Sequence, residues 1–157
     1  MTTLTEIEKF LDSRKFAIAG VSRNEKKFGG AIFKELKGKG FDLYPINPNA
    51  ENIQGIKCYK SVSELPKEVS RLLIITPKAE STAVAQEAIE KGIEMVWIQQ
   101  KSDTPEAVEV IEKAGISLIS KKCIMMFADP VKGVHGFHRA IAKLFGAYPK
   151  MVAPSEN

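Results

Sequence analysis

KFAIAGVSRNEKKFGG, Lys15 to Gly30, sets the fold class of this chain. Phe16-Ala17-Ile18-Ala19 is an apolar run long enough for one strand buried on both faces. Gly20 stops the run, and Ser22, Arg23 and Asn24 make a polar turn. A helical pattern starts near Lys26 and carries Phe28, Ile32, Phe33 and Leu36 at three- and four-residue spacing. Strand, glycine turn and helix together open a nucleotide-binding βαβ unit. The N-terminus of such a helix offers unpaired backbone N–H groups and a positive dipole end, which suit phosphate.

The glycines depart from the dinucleotide pattern G-x-G-x-x-G. Ser22 stands where a second glycine would let a pyrophosphate approach the backbone, and a hydroxyl there can itself donate to a phosphate oxygen. Gly29 and Gly30 fall inside the helical pattern, where glycine costs about 1 kcal/mol relative to alanine. They are expected to permit close approach of a neighbouring strand or of a ligand. A side chain at Gly20 is expected to block the phosphate and to oppose the backbone angles of the turn. The plainer alternative is that Gly20 and Gly29 only shape a tight strand-to-helix connection.

At 157 residues the chain is expected to form one domain, 1–157, burying roughly 68–70% of its unfolded surface. The N-terminus, MTTLTEIEKF, lacks the apolar centre of a signal peptide, and no apolar run reaches membrane-spanning length. Cys58 and Cys123 stand far apart in no metal or redox-pair spacing, so the expected compartment is the cytoplasm. The net charge of +4 comes mostly from scattered lysines. Base readout favours clustered arginine and stacking aromatics, so no nucleic-acid partner is expected, and the basic excess suits an anionic small ligand.

Thr3 to Asp12 reads as an amphipathic helix with Leu4, Ile7, Phe10 and Leu11 on one face and Thr5 and Glu6 in its first turn. Phe41 to Ile46 is the second strand, ending at Asn47-Pro48. Glu51 to Tyr59 reads as a loop, and Ser61 to Leu65 as a helical turn closed by Pro66. Arg71 to Ile75 is the third strand, ending at Thr76-Pro77, and a helix follows from Ala79 to Lys91. Met95 to Ile98 is the fourth strand, ending at Gln99-Gln100-Lys101. Thr104 caps the next helix with Pro105 at its first position, and Ile116 to Ile119 is the fifth strand. Strands alternating with helices point to βαβ crossovers and an all-parallel sheet. The ligand of such a sheet sits outside the carboxyl ends of the strands, near the switch in strand order. A NAD-binding unit would place an acid near the end of the second strand, where this chain has Asn47.

These segments, AIAGVSRNEKKFGG, YPINPNAENIQGIKCYKSVSELP, LLIITPKAE, MVWIQQ and SKKC, come in the order found in the CoA-binding Rossmann-like family, which the chain resembles up to about Cys123. That family includes the N-terminal domain of the succinyl-CoA synthetase alpha subunit and stand-alone bacterial CoA-binding proteins. The resemblance implies a Rossmann-like three-layer α/β fold with an open, mainly parallel five-stranded sheet. Within it stand an N-terminal helix (1–14), a βαβ core (15–123), a C-terminal loop and helix (124–150) and a tail (151–157). It implies coenzyme A or an acyl-CoA as ligand. The implied contacts are Gly20, Val21, Ser22, Arg23, Asn24, Lys27, Phe28 and Gly29 at the phosphates, then Asn47, Pro48, Thr76, Pro77, Ile98, Gln99 and Gln100 along the strand ends. The synthetases carry a lysine shortly after the second-strand proline, where this chain has Asn49-Ala50. That charge contact is either lost or supplied by Lys26, Lys27, Lys78 or Lys101. The synthetases' second domain, with its phosphorylated histidine, is not expected here, so the resemblance carries binding and not ligase chemistry.

His135 and His138, with Cys123, make three metal-binding side chains with no fourth in spacing, against the four that structural zinc takes. No metal is expected. A structural or surface role, or contact with a CoA phosphate or acyl group, stands open for the two histidines. No Ser-His-Asp order, paired-carboxylate motif or P-loop is present, and no catalytic residue is assigned. The leading expectation is a non-catalytic CoA carrier, sensor or regulator, with a protein partner or homo-oligomer open. A nicotinamide-dependent oxidoreductase and an interaction subunit with a vestigial nucleotide site are the alternatives.

Overall fold

The computed structural model of the chain describes residues 2–128. Its first helix, α1 (Leu4–Asp12), begins at a capping box. The Thr3 hydroxyl accepts from the Glu6 N–H, and the Glu6 carboxylate accepts from the Thr3 N–H. Strand β1 (Lys15–Ala19) follows, then α2 (Phe28–Gly38) and β2 (Asp42–Ile46). Two short strands, β3 (Asn52–Ile53) and β4 (Ile56–Lys57), precede a 3-10 turn at Val62–Glu64. The chain continues through β5 (Arg71–Ile74), α3 (Lys78–Lys91), β6 (Met95–Gln99), α4 (Pro105–Lys113) and β7 (Ser117–Lys122), and a second 3-10 turn covers Ile124–Met126. Thr104 caps α4 through the Ala107 N–H with Pro105 at its start, as expected.

The five-stranded sheet runs β2-β1-β5-β6-β7, and all four pairings are parallel. Alternation along the strands gives each face its own core. Phe16, Ile18, Leu73 and Trp97 pack with Ile7 and Phe10 of α1 and with Ile32, Phe33 and Leu36 of α2. On the other face Ala17, Ala19, Leu72, Ile74, Val96 and Ile98 meet Ala85 and Ala88 of α3 and Ala107 and Ile111 of α4. The result is the Rossmann-like three-layer architecture. Met125 and Phe127, just past the sheet, are buried in the first of these cores. No described helix is long and apolar enough to cross a membrane.

The expected loop from Glu51 to Tyr59 is a correction. Its centre is the antiparallel β3–β4 hairpin, and Tyr59 adds a parallel bridge to Ile46 at the edge of β2. The third strand stops one residue earlier than expected, with the Ile75 N–H still donating to the Ala19 carbonyl. The fifth strand runs on to Lys122 after a register shift opposite Trp97 and Gln99. The helix expected near Lys26 starts at Phe28, because the Asn24 side chain holds the Lys26 N–H in a turn. The expected C-terminal helix, His135 and His138 lie outside the described residues.

Candidate functional site

The sheet order places the switch point between β1 and β5, since the chain leaves β1 for β2 on one side and returns to β5 on the other. The carboxyl ends of these three strands border a crevice of about 680 Å³. One wall is Gly20 and Val21 after β1, with Lys27 at the start of α2. Asn47, Pro48 and Asn49 after β2 form a second, continued by Lys60, Ser61 and Val62. The third is Thr76-Pro77 and one face of α3, Ala79, Glu80, Ala83, Val84 and Glu87.

Three glycines bring the backbone of this region together. Gly20 has φ +98°, and a Cβ on it would lie 2.7 Å from the Thr76 nitrogen and 2.8 Å from the Ile75 carbonyl carbon. A side chain there collides with the β5–α3 turn, and the positive φ agrees with the expected opposition of the turn's backbone angles. A Cβ on Gly29 would press on the Gly20 carbonyl oxygen. One on Gly30 would press on the Asn24 carbonyl oxygen and come within 2.9 Å of the Ser22 oxygen. The close neighbour of both helical glycines is therefore the β1–α2 loop itself, not another strand.

Asn47 ties two walls to each other. Its side-chain N–H donates to the Val21 carbonyl at 2.8 Å, and its side-chain oxygen accepts from the Asn49 N–H at 2.8 Å. A carboxylate could take the second bond but not donate the first. Beneath it the Cys58 thiol lies 3.7 Å from the Asn47 carbonyl. Burial is the larger cause and pushes that thiol's pKa up, while the backbone of Asn47 acts in the opposite direction. Ser22 accepts from the Asn24 N–H at 3.1 Å. Thr76 is buried, with its hydroxyl 3.1 Å from that of Ser81. Glu87 accepts from the Val62 N–H at 3.1 Å, closing the far end of the crevice.

Of the residues singled out in the sequence, Gly20, Val21, Lys27, Asn47, Pro48, Thr76 and Pro77 line this crevice. Ser22, Arg23, Asn24 and Phe28 stand on the loop and helix start beside it, with Phe28 exposed and Gly29 packed beneath the loop. Ile98 lies wholly in the core under α3 and α4. Gln99 is buried too, its side-chain oxygen accepting from the Ile124 N–H at 3.0 Å, while Gln100 is exposed. Lys60 to Val62 and the α3 residues were not singled out. Helical periodicity marks Val84 only as an inward position, and nothing in the sequence says that the 60–62 segment returns alongside it. Among the described residues no group of three His, Cys, Asp or Glu side chains is placed to hold a metal.

Comparison with known proteins agrees with this architecture. The family model described as a CoA binding domain matches residues 14–129. The chain is 35% identical over 129 residues to subunit alpha of an ADP-forming acetate–CoA ligase II from Pyrococcus furiosus, covering 75% of this chain and 28% of that subunit. It therefore spans under a third of that relative. YneT, an uncharacterized protein of Bacillus subtilis, is 24% identical over 120 residues, which are 76% of this chain and 89% of YneT. The solved structure of a conserved hypothetical protein from Pyrococcus furiosus superposes with a TM-score of 0.68 at 41% identity, over 71% of this chain and 96% of that one. The three-layer sheet, its crevice at the switch point and a match over most of its length agree: this chain belongs to the CoA-binding domain family.

Proposed function

We propose that this chain binds coenzyme A or an acyl-CoA in the crevice at the carboxyl ends of β1, β2 and β5, as a carrier, sensor or regulatory module without a bond-making step of its own. The observation that carries this reading is the crevice at the switch point, within the roughly 300–1,000 Å³ of small-ligand sites. Its charges favour one orientation. α2 opens with no capping side chain and no acid in its first turn, and Lys27 stands at its N-cap. Its N–H groups and dipole are thus available to phosphate. α3 has Glu80 in its first turn, which competes with any anion there. The diphosphate therefore belongs against the β1–α2 side, and the uncharged pantetheine arm against Ala79, Ala83 and Val84.

The ionisable residues among those lining the crevice are Lys27, Lys60, Glu80 and Glu87. Glu87 is already occupied by the Val62 N–H. Among the described residues the lining carries no thiol or imidazole, which supports a holding role over a bond-making one. That two relatives of the chain are alpha subunits of ligases supports a protein partner as well. Native mass spectrometry of the purified protein tests the reading. A co-purifying species with the mass of CoA or an acyl-CoA is expected, and a nicotinamide nucleotide in its place overturns it.

A further inference from the structure

We propose that Gln54, at the tip of the β3–β4 hairpin and outside the crevice, is a positioning residue that braces the first turn of α2 for ligand binding. This rests on the CoA-binding reading above. Gln54 has φ +50° and Gly55 φ +79°, so the two-residue connection is a type I′ turn. Such turns favour Asn-Gly, because both central residues must adopt the left-handed region that most side chains disfavour. Glutamine is a poor choice for the turn alone.

Its side chain has a partner that asparagine would not reach. The Gln54 amide nitrogen donates to the Gly30 carbonyl at 3.2 Å, while Lys37 Nζ donates to the Gln54 backbone carbonyl at 2.6 Å. The hairpin tip is thus tied to α2 at both ends of one residue. Gly30 is the residue on which the loop rests, its Cα facing the Asn24 and Ser22 carbonyls. Lys27, three residues before it, lines the crevice. A hydrogen bond 24 positions away in sequence therefore fixes the helix turn on which the loop is built. Strain kept at a non-glycine residue by a specific partner marks a place where position matters beyond stability.

Two substitutions separate position from stability. Gln54→Asn suits the turn better but is one methylene too short for Gly30. Gln54→Glu keeps the length and the turn strain but has no N–H to donate. Titrating CoA into the full chain by calorimetry should show the dissociation constant raised about fivefold in both, the worth of one ordinary hydrogen bond. Melting temperatures should part: Gln54→Asn at or above wild type, Gln54→Glu below it. If Gln54→Asn binds CoA as tightly as wild type, Gln54 serves only the turn and the proposal is overturned. If wild type itself does not bind CoA, the functional reading fails separately. The brace is then read from amide hydrogen exchange over residues 22–31. Faster exchange in both variants upholds it, and unchanged exchange overturns it.

Discussion

The same glycine-to-alanine change in one helix should move stability in opposite directions at Gly30 and Gly38. Both residues lie in α2. At Gly38 a Cβ meets nothing within 4 Å. Alanine there limits the unfolded chain and improves helix propensity, for a gain of about 0.4–1 kcal/mol. At Gly30 a Cβ would press on the Asn24 carbonyl oxygen, 2.8 Å from the Asn24 carbon and 2.9 Å from the Ser22 oxygen. All three are backbone atoms, so no flexible side chain can give way. Overpacking costs about 1–3 kcal/mol, and a collision with fixed backbone belongs at the top of that range. Set against about 1 kcal/mol of propensity, the net loss is about 2 kcal/mol. At roughly 2–4 °C per kcal/mol, Gly30→Ala should melt about 4–8 °C lower and Gly38→Ala about 1–4 °C higher. Urea unfolding of the three proteins gives the free energies directly. If Gly30→Ala matches or exceeds wild type, the packing of α2 against the β1–α2 loop is wrong.

Asn47→Asp should cost about 1–3 kcal/mol, since it removes the donor to the Val21 carbonyl and sets a carboxylate beside it; unchanged urea stability would show that this bond does not hold the loop. Cys58 should resist alkylation at neutral pH in the folded protein and react fully in denaturant, because burial raises its pKa; peptide mass mapping that finds it labelled as fast when folded contradicts the burial. Tyr44 has its pKa raised above the ordinary 10.0 by burial and then by the carboxylates of Asp42 and Glu68. Its stabilising effect should be complete below pH ~10 and lost as pH rises through the folded value. Tyr44→Phe should therefore lose less stability on alkaline titration, and identical curves for the two proteins would refute the shift.

The layers and the parallel sheet follow from features a sequence displays openly. Runs such as Phe16–Ala19 and Leu72–Ile75 are apolar at every position, which only a strand covered on both faces requires. The β3–β4 hairpin escaped because its strands have two residues each, too short for alternation to register. Its signal was Gln54-Gly55 between Ile53 and Ile56, weaker than Asn-Gly. The strand-end residues of the crevice were legible because parallel sheets put ligands at carboxyl ends. The outer wall was not. Which helical face and which returning segment flank that end depends on tertiary packing, as Glu87 meeting the Val62 N–H illustrates. Gln99 shows another limit: nothing in the sequence says that its side-chain oxygen accepts from the Ile124 N–H.

Thermal shifts measured side by side with CoA, acetyl-CoA, NAD and NADP test the central claim most directly. A ligand that binds only the folded state at a hundred times its dissociation constant adds about 2.7 kcal/mol, or about 5–11 °C for a domain of this size. CoA or acetyl-CoA should produce that shift. It should shrink as salt rises if the ligand's phosphates lie against Lys27, as proposed. NAD should produce none, since Asn47 offers no carboxylate to a ribose and its amide already bridges Val21 and Asn49. A melt raised by either nicotinamide nucleotide and unmoved by CoA would contradict the account.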